Sequence, residues 1–233
     1  MERWAEEGSD VSKFMTSVFS WMVVGLLVTA AVSWYFASSG MVSLLIGEGG
    51  HTMLGWIVML SPLGFILAIN FGFQRFSSSA LTMLFVAFSA VMGASLSYIF
   101  LIYTGASLAQ VFLISAGTFG AMAFLGYTTS TDLTKMGSLL YMGLIGIILA
   151  SVVNWFVGSS AMDYLISILG VLIFTGLTAY DTQKLKRIGA GVEYGDEASS
   201  EAASKLAILG ATSLYLDFIN LFLFMLRLMG NRK

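Results

Sequence analysis

The chain has 233 residues, of which 58% are hydrophobic and only 10% are charged. Soluble domains carry about 25% charged residues, so this composition indicates a polytopic membrane protein with little room for a soluble domain. The net charge of -2 offers no basic field for nucleic acid, and the absence of cysteine excludes disulfides, thiolate metal sites and cysteine nucleophiles.

The chain opens with an acidic stretch, "MERWAEEGSDVSK", before its first long apolar run. That run, 14–36, is too long for the hydrophobic region of a signal peptide, and no basic segment precedes it. We interpret residues 1–13 as a cytoplasmic segment and residues 14–233 as a seven-helix transmembrane domain.

Seven apolar runs are long enough to cross a membrane, since a spanning helix needs about 20 residues. In hydrocarbon the backbone must satisfy its own polar groups, and the runs do not alternate, so all are predicted to be helices. The predicted spans are 14–36, 53–72, 80–102, 107–127, 137–157, 161–183 and 206–228. The predicted fold is therefore an all-α polytopic membrane protein.

Two connections and one proline interrupt this pattern. Residues 37–52 are rich in serine and glycine and end near the only histidine, His51, which we expect to be a plain loop residue. Residues 184–205 hold much of the charge. Pro62 falls inside the second span and is expected to kink or weaken the helix, because proline lacks the N–H donor.

The basic residues predict which side each connection faces, because cytoplasmic loops are enriched in Lys and Arg. With the N-terminus inside, the outer connections 37–52, 103–106 and 158–160 carry no basic residue. A seventh crossing puts the last three basic residues outside, against this rule, but the final run is long enough for us to favour a full crossing. The inner side holds Arg3, Lys13, Arg75, Lys135, Lys184, Lys186, Arg187 and Lys205.

One carboxylate lies in the middle of the last apolar run: Asp217 in "SLYLDFINLFLFMLRL". An ionisable side chain inside a membrane helix costs about 2.5–3.5 kcal/mol on insertion scales and usually marks an ion or proton path. Ser213, Asn220 and Phe224 share its helical face, which makes a narrow polar stripe that ends in a bulky ring. The alternative is a structural aspartate held by internal hydrogen bonds.

Two more charged side chains lie at the inner ends of predicted spans: Asp181 in "TAYDTQKLK" and Arg75 in "NFGFQRFSSS". Asp181 has the alternative of an interface residue beside lysines, and Arg75 that of a positive-inside anchor. Two close carboxylates cannot both ionise cheaply, so the pair would hold a proton, and a nearby arginine would compete with it. The same oxygens are hard ligands that suit Ca²⁺.

Counting along the helices puts Asp181 about 10 Å deeper than Asp217. Tilt, or an extension of the last helix into the cytosol, has to close that gap before the two carboxylates can act together.

The segments "GYTTSTDLTKMGSLLYMGLIGIILASVVNWF", "GLTAYDTQKLK" and "SLYLDFINLFLFMLRL" resemble the Bax-inhibitor-1 family of bacterial and organellar membrane proteins. The resemblance implies seven helices with the last enclosed by the other six. It also implies a pH-sensitive calcium leak, controlled by an aspartate pair and a latch arginine. Asp181 and Asp217 match the pair, and Arg75 is the natural match for the arginine. A bacterial cytoplasmic membrane is the expected location.

Three functions stay open. The first is a proton-gated Ca²⁺ leak, with Asp181 and Asp217 as Ca²⁺ ligands, no resident cofactor, and Ser213 and Asn220 as supporting polar groups. The second is an interaction protein that restrains a membrane protease or a stress- or death-pathway partner, and it can coexist with the first.

The third is an intramembrane aspartyl protease, to which "AYD" at 179–181 fits in part. The second half of such a site should read Gly-x-Gly-Asp, whereas this chain has "LYLD", and no Pro-Ala-Leu follows. We therefore predict a protein that is not an enzyme.

Overall fold

The computed structural model of the chain consists almost entirely of α-helices and describes residues 2–47, 49–192, 194 and 196–233, with side chains from residue 10 onward. A 3-10 turn, Met41–Leu44, and a small antiparallel hairpin of β1 (Ile46–Gly47) and β2 (Gly50–His51) fill the first connection. The helices are α1 (Glu2–Ser38), α2 (Met53–Gly72), α3 (Ser78–Leu96), α4 (Ile99–Ile102), α5 (Gly105–Thr128), α6 (Thr134–Val157), α7 (Ser160–Gly189) and α8 (Glu197–Met229).

Seven spans in the described part of the chain are long and apolar enough to cross a membrane, which confirms the predicted number and order. The third span consists of α3 and α4, separated at Ser97 and Tyr98. The chain is therefore an all-α integral membrane protein. Helix α1 runs through the predicted segment 1–13, and the side chain of Arg3 lies outside the described residues.

The predicted inner connection, 184–205, is largely helical. Helix α7 continues to Gly189 and α8 begins at Glu197, well before the predicted start at residue 206. Residues 193 and 195 of this connection lie outside the described residues. The last helix thus extends past the apolar run, which is one of the two arrangements expected to close the depth gap between the aspartates.

Helix α8 is the most buried span. Over an 18-residue apolar stretch of each span, 67% of α8 is buried inside the protein, against 11–44% for the other six spans. Ala203, Ala207 and Ala211 follow one another at single-turn spacing and are at most 2% exposed. Small side chains let helices approach closely, which drives helix association in lipid, where the hydrophobic effect between helices is weak.

The described chain forms two compact units. One comprises Met1–Ile102, Gly189–Tyr215 and Lys233, and the other comprises Tyr103–Ile188 and Leu216–Arg232. Helix α8 contributes its first half to the first unit and its second half to the other.

A buried polar contact joins α1, α3 and α8 in the first unit. The Thr29 hydroxyl donates to the Ser89 carbonyl oxygen at 2.9 Å and lies 2.6 Å from the Tyr215 hydroxyl. Since threonine has a single hydroxyl hydrogen, Tyr215 is the donor to Thr29. Phe85 and Phe88 meet the Tyr215 ring edge to face, with centroids 6.0 and 5.2 Å away.

Helix α2 continues through Pro62 without a break. Proline cannot donate to the carbonyl oxygen of Val58, which lies one turn earlier. The Ser61 hydroxyl donates to that oxygen at 3.0 Å instead. A neighbouring serine therefore satisfies the acceptor that the proline leaves open, as membrane helices allow.

Residues 230–232, which follow α8, bind the start of the fourth span. The Asn231 N–H donates to the Ser107 hydroxyl at 2.8 Å, and the Thr104 N–H donates to the Asn231 carbonyl oxygen at 3.2 Å. Tyr103 and Arg232 form an isolated antiparallel bridge. These contacts place the end of α8 at the connection between the third and fourth spans. Helix α8 is long and apolar enough for a full crossing, which stays a prediction.

Thr29→Val should destabilise the protein, because it leaves the buried Tyr215 hydroxyl without its acceptor. An orphaned buried donor costs about 1–3 kcal/mol. The measurement is thermal unfolding of the purified protein in detergent. Thr212→Val is the matched control, since the Thr212 hydroxyl is also buried but donates only to Ile208 of its own helix. Equal losses in both variants would contradict a special role for the Thr29 contact.

Candidate functional site

Helices α7 and α8 bring two carboxyl groups together inside one compact unit. Asp181 is 3% exposed and Asp217 is 5% exposed, and the two groups lie within hydrogen-bonding range of each other. An ionised carboxylate can only accept, so a hydrogen bond between them needs a proton on one of the two. The expected depth difference between them is thus overcome, and their functional role stays a prediction.

The hydrogen bonding of this pair is incomplete at Asp217. Among the described residues, no donor reaches the buried Oδ2 of Asp217. Thr178 and Thr182, which flank Asp181 on its own helix, are fully buried, and each donates to a carbonyl oxygen one turn earlier. The pair is therefore shielded from lipid but only partly satisfied, which is costly unless a proton or a cation completes it.

Tyr141 on α6 is a site residue that sequence reasoning missed. Its hydroxyl donates to Oδ1 of Asp181 at 3.3 Å, and its ring meets the edge of Tyr180 with centroids 6.0 Å apart. In sequence Tyr141 is one aromatic side chain in a long apolar run, which is ordinary in membrane helices. Its contact with Asp181 becomes visible only once α6 is packed against α7.

The other predicted site residues occupy different positions. Arg75 lies exposed in the turn after α2, in the first unit, and forms no ion pair with the described side chains. Its pairing with Asp181 stays a prediction. The Asn220 amide donates to the Leu216 carbonyl oxygen at 2.8 Å, which is a bond within its own helix. Ser213 is half-buried one turn before Asp217.

Helix α5 holds α7 in place through a very close approach. A Cβ atom on Gly126 would collide with the backbone carbonyl oxygen of Ala179, which lies beside the aspartate-bearing turn. Gly137 on α6 similarly leaves room for the Tyr180 ring. Glycine at these positions lets the neighbouring helices support the turn that carries Asp181.

Comparison with known proteins gives the family. The model of the family described as "Inhibitor of apoptosis-promoting Bax1" matches residues 11–233. The chain belongs to the Bax-inhibitor-1 family. This confirms the predicted family and extends the resemblance to the first span.

Three bacterial proteins are among the relatives of this Bax-inhibitor-1 protein. It is 46% identical over 220 residues to the "Inner membrane protein YbhL" of Escherichia coli K12, covering 94% of this chain and 92% of that protein. It is 43% identical to an uncharacterized protein of Borreliella burgdorferi, with 95% and 93% covered. It is 42% identical to the uncharacterized protein RP147 of Rickettsia prowazekii, with 95% and 90% covered.

The C-terminal end of α7 in this Bax-inhibitor-1 protein is bonded to the loop 129–133. The Gln183 side chain bonds twice to backbone atoms of that loop, at 2.9 and 2.8 Å. Arg187 donates to Asp132 at 2.7 Å and to Thr134 at 3.0 Å. Hydrogen bonds from Thr134 and then Arg187 hold the pKa of Asp132 well below its usual range. These contacts fix the end of the helix that carries Asp181.

Gly126→Ala should destabilise this Bax-inhibitor-1 protein by about 1–3 kcal/mol, because the added methyl group forces α5 and α7 apart. Gly120→Ala, on the same helix, is the matched control, since nothing lies within 4 Å of a Cβ atom there. The control should be neutral or slightly stabilising, because alanine favours a helix over glycine by about 0.5–1 kcal/mol. Thermal unfolding in detergent compares the two, and a tolerated Gly126→Ala would contradict the close approach.

Proposed function

We propose that the protein is a pH-sensitive calcium leak, in which Asp181 and Asp217 bind either a proton or a passing Ca²⁺ ion. The observation that carries the proposal is the pair of buried carboxyl groups at hydrogen-bonding range, one of them on the most buried helix. Ionisable groups inside a membrane are costly and are usually retained for ion or proton paths. Membership of the Bax-inhibitor-1 family supports the same reading.

The chemistry of the pair follows from its charge. With one proton the two groups share a hydrogen bond and carry a single negative charge. Without it, two adjacent negative charges repel each other and attract a divalent cation. Ca²⁺ takes six to eight oxygen ligands, of which two carboxylates supply at most four. The described residues contain no cluster of three or more His, Cys, Asp or Glu side chains that could hold a metal. We propose that water supplies the remaining ligands of a passing ion.

Arg75 is proposed as the latch that competes with the proton for Asp181. Its support is that the guanidinium is exposed and has no ion-pair partner among the described side chains. Protonation of the pair would release Arg75, yet it would also remove the charge that attracts Ca²⁺. Protonation of the pair therefore has two opposing effects on Ca²⁺ passage.

We propose that the N-terminus faces the cytoplasm of a bacterial inner membrane. The absence of basic residues from the connections 37–52, 103–106 and 158–160 supports this orientation. The similarity to the inner membrane protein of E. coli supports the location.

We propose no catalytic role for the chain, because Asp217 lacks the Gly-x-Gly-Asp setting of a membrane aspartyl protease. The second candidate is an interaction protein that restrains a membrane protease or a stress- or death-pathway partner. The description of its family as an inhibitor of Bax1 supports that candidate. It does not conflict with an ion leak.

Replacing either aspartate with asparagine should flatten the pH dependence of Ca²⁺ flux and weaken Ca²⁺ binding by about tenfold or more. Asparagine keeps the shape but cannot titrate, and one lost charge beside a cation is worth on the order of 1–4 kcal/mol. The double variant should add little, because the pair acts as a unit. The measurement is Ca²⁺ uptake into liposomes that contain the purified protein, at several pH values.

Asp163→Asn is the matched control for this assay. Asp163 is half-exposed at the other end of α7, where it lies 3.9 Å from Arg227. Its substitution should leave the pH profile intact. An Asp217→Asn protein with a normal profile would refute the proposal.

In the same assay Arg75→Ala should raise the basal Ca²⁺ flux, and Arg75→Lys should give a flux between those of the parent and Arg75→Ala. An unchanged flux in Arg75→Ala would mean that Arg75 serves only to set the orientation of the chain in the membrane.

The orientation can be tested by cysteine labelling, since the chain contains no native cysteine. Ala198→Cys, exposed near the start of α8, should be protected from an impermeant thiol reagent added to spheroplasts. Ser39→Cys, exposed after α1, should react with it. The reverse pattern would overturn the proposed orientation.

A further inference from the structure

Two phenylalanine rings lie at equal distances from the aspartate pair. Phe174 on α7 and Phe224 on α8 stack with centroids 5.8 Å apart and planes inclined by 25°. Each ring is two helical turns from the aspartate of its own helix, which corresponds to about 10 Å along the axis. The two helices are antiparallel here, because the residue number falls from Asp181 to Phe174 while it rises from Asp217 to Phe224. Both rings lie on the side away from the inner end of α7.

The Phe224 ring rests on a glycine. A Cβ atom at Gly170, one turn beyond Phe174 on α7, would meet three carbons of that ring at 2.5–2.6 Å. The ring is therefore held between the bare backbone of Gly170 and the ring of Phe174. Phe174 is 5% exposed, whereas Phe224 is half-buried.

Polar groups lie on both sides of the stacked rings. Between the rings and the aspartates lie Thr178 and Asn220, one turn from each carboxyl group, and both side chains donate to carbonyl oxygens of their own helices. On the far side the Arg227 guanidinium lies 5.6 Å from the centre of the Phe224 ring. The facing surfaces of α7 and α8 thus change from polar to apolar and back to polar.

We propose that Phe174 and Phe224 form a hydrophobic gate between the aspartate pair and the outer face of the membrane. A hydrated cation cannot pass an apolar constriction without losing water, so stacked rings close a path without any charge. Movement of the Phe224 ring off Gly170 opens it. The inference rests on the proposed function for the identity of the ion, but the gate can be tested without calcium.

The test uses a cysteine placed between the rings and the aspartates. Asn220→Cys is made in this cysteine-free chain, and a charged, membrane-impermeant thiosulfonate reagent is added to the outside of spheroplasts. With both rings present the cysteine should be protected. Phe224→Ala or Phe174→Ala in the same background should raise its labelling rate at least tenfold.

Phe222→Ala is the matched control. Phe222 is also a buried ring on α8, but it packs against Phe112 with centroids 6.1 Å apart. Its loss should leave the cysteine at position 220 protected. Labelling that rises equally in this control would show general loosening and would overturn the gate.

A second variant keeps the test decisive if an alanine variant fails to fold. Gly170→Ala retains both rings and places a methyl group where the Phe224 ring rests, so it should also expose the cysteine at position 220. Rapid labelling of the parent with both rings in place would overturn the proposal. Protection that persists in Gly170→Ala and in every folded ring variant would also overturn it.

Ca²⁺ flux separates the gate from the proposed function. Phe224→Ala should raise flux through liposomes while the pH profile set by Asp181 and Asp217 remains. Exposure of the cysteine without Ca²⁺ flux in any variant would support the gate and contradict the calcium leak. Flux that depends on the aspartates but not on the rings would support the leak and contradict the gate.

Discussion

The fold depends on keeping one carboxyl group out of lipid. Asp217 lies in the middle of the apolar run of α8, and exposure to lipid there would cost several kcal/mol. The solution is to make α8 the most buried of the seven spans. Because apolar surface alone gives little reason for two helices to associate in lipid, close contacts between small residues and a few polar bonds must hold α8 inside.

Helix α8 uses two opposite faces for this purpose. Tyr215 and Asp217 are two positions apart, which places them on nearly opposite sides of a helix. Tyr215 is bonded to Thr29 in one compact unit, and Asp217 meets Asp181 in the other. The tyrosine contact is neutral and fully satisfied, so it suits an anchor. The aspartate contact is incompletely satisfied, so it suits a site that exchanges its proton or its cation.

Much of this arrangement could be predicted from the sequence, because length and composition are enough to identify membrane spans. The aspartates were equally visible, since a carboxylate in an apolar run is rare. The relative depths of the two aspartates could not be predicted, because the ends of an apolar run do not mark the ends of its helix. Helix α8 begins at Glu197 and not at residue 206. Tyr141, Phe174 and Gly126 were also missed. An aromatic residue or a glycine in a membrane helix has no distinctive pattern until its neighbour is known.

The segment after α8 has a consequence for biosynthesis. Asn231 accepts a hydrogen bond from the Thr104 N–H and donates one to the Ser107 hydroxyl, both at the start of the fourth span. A ribosome makes residues 104–107 long before it makes residue 231, so the first turn of the fourth span must enter the membrane without these partners. The contacts can form only after the last helix has been inserted. Correct assembly at this point therefore has to wait until residue 231 has been made, and a product truncated before it would leave that turn exposed to quality control.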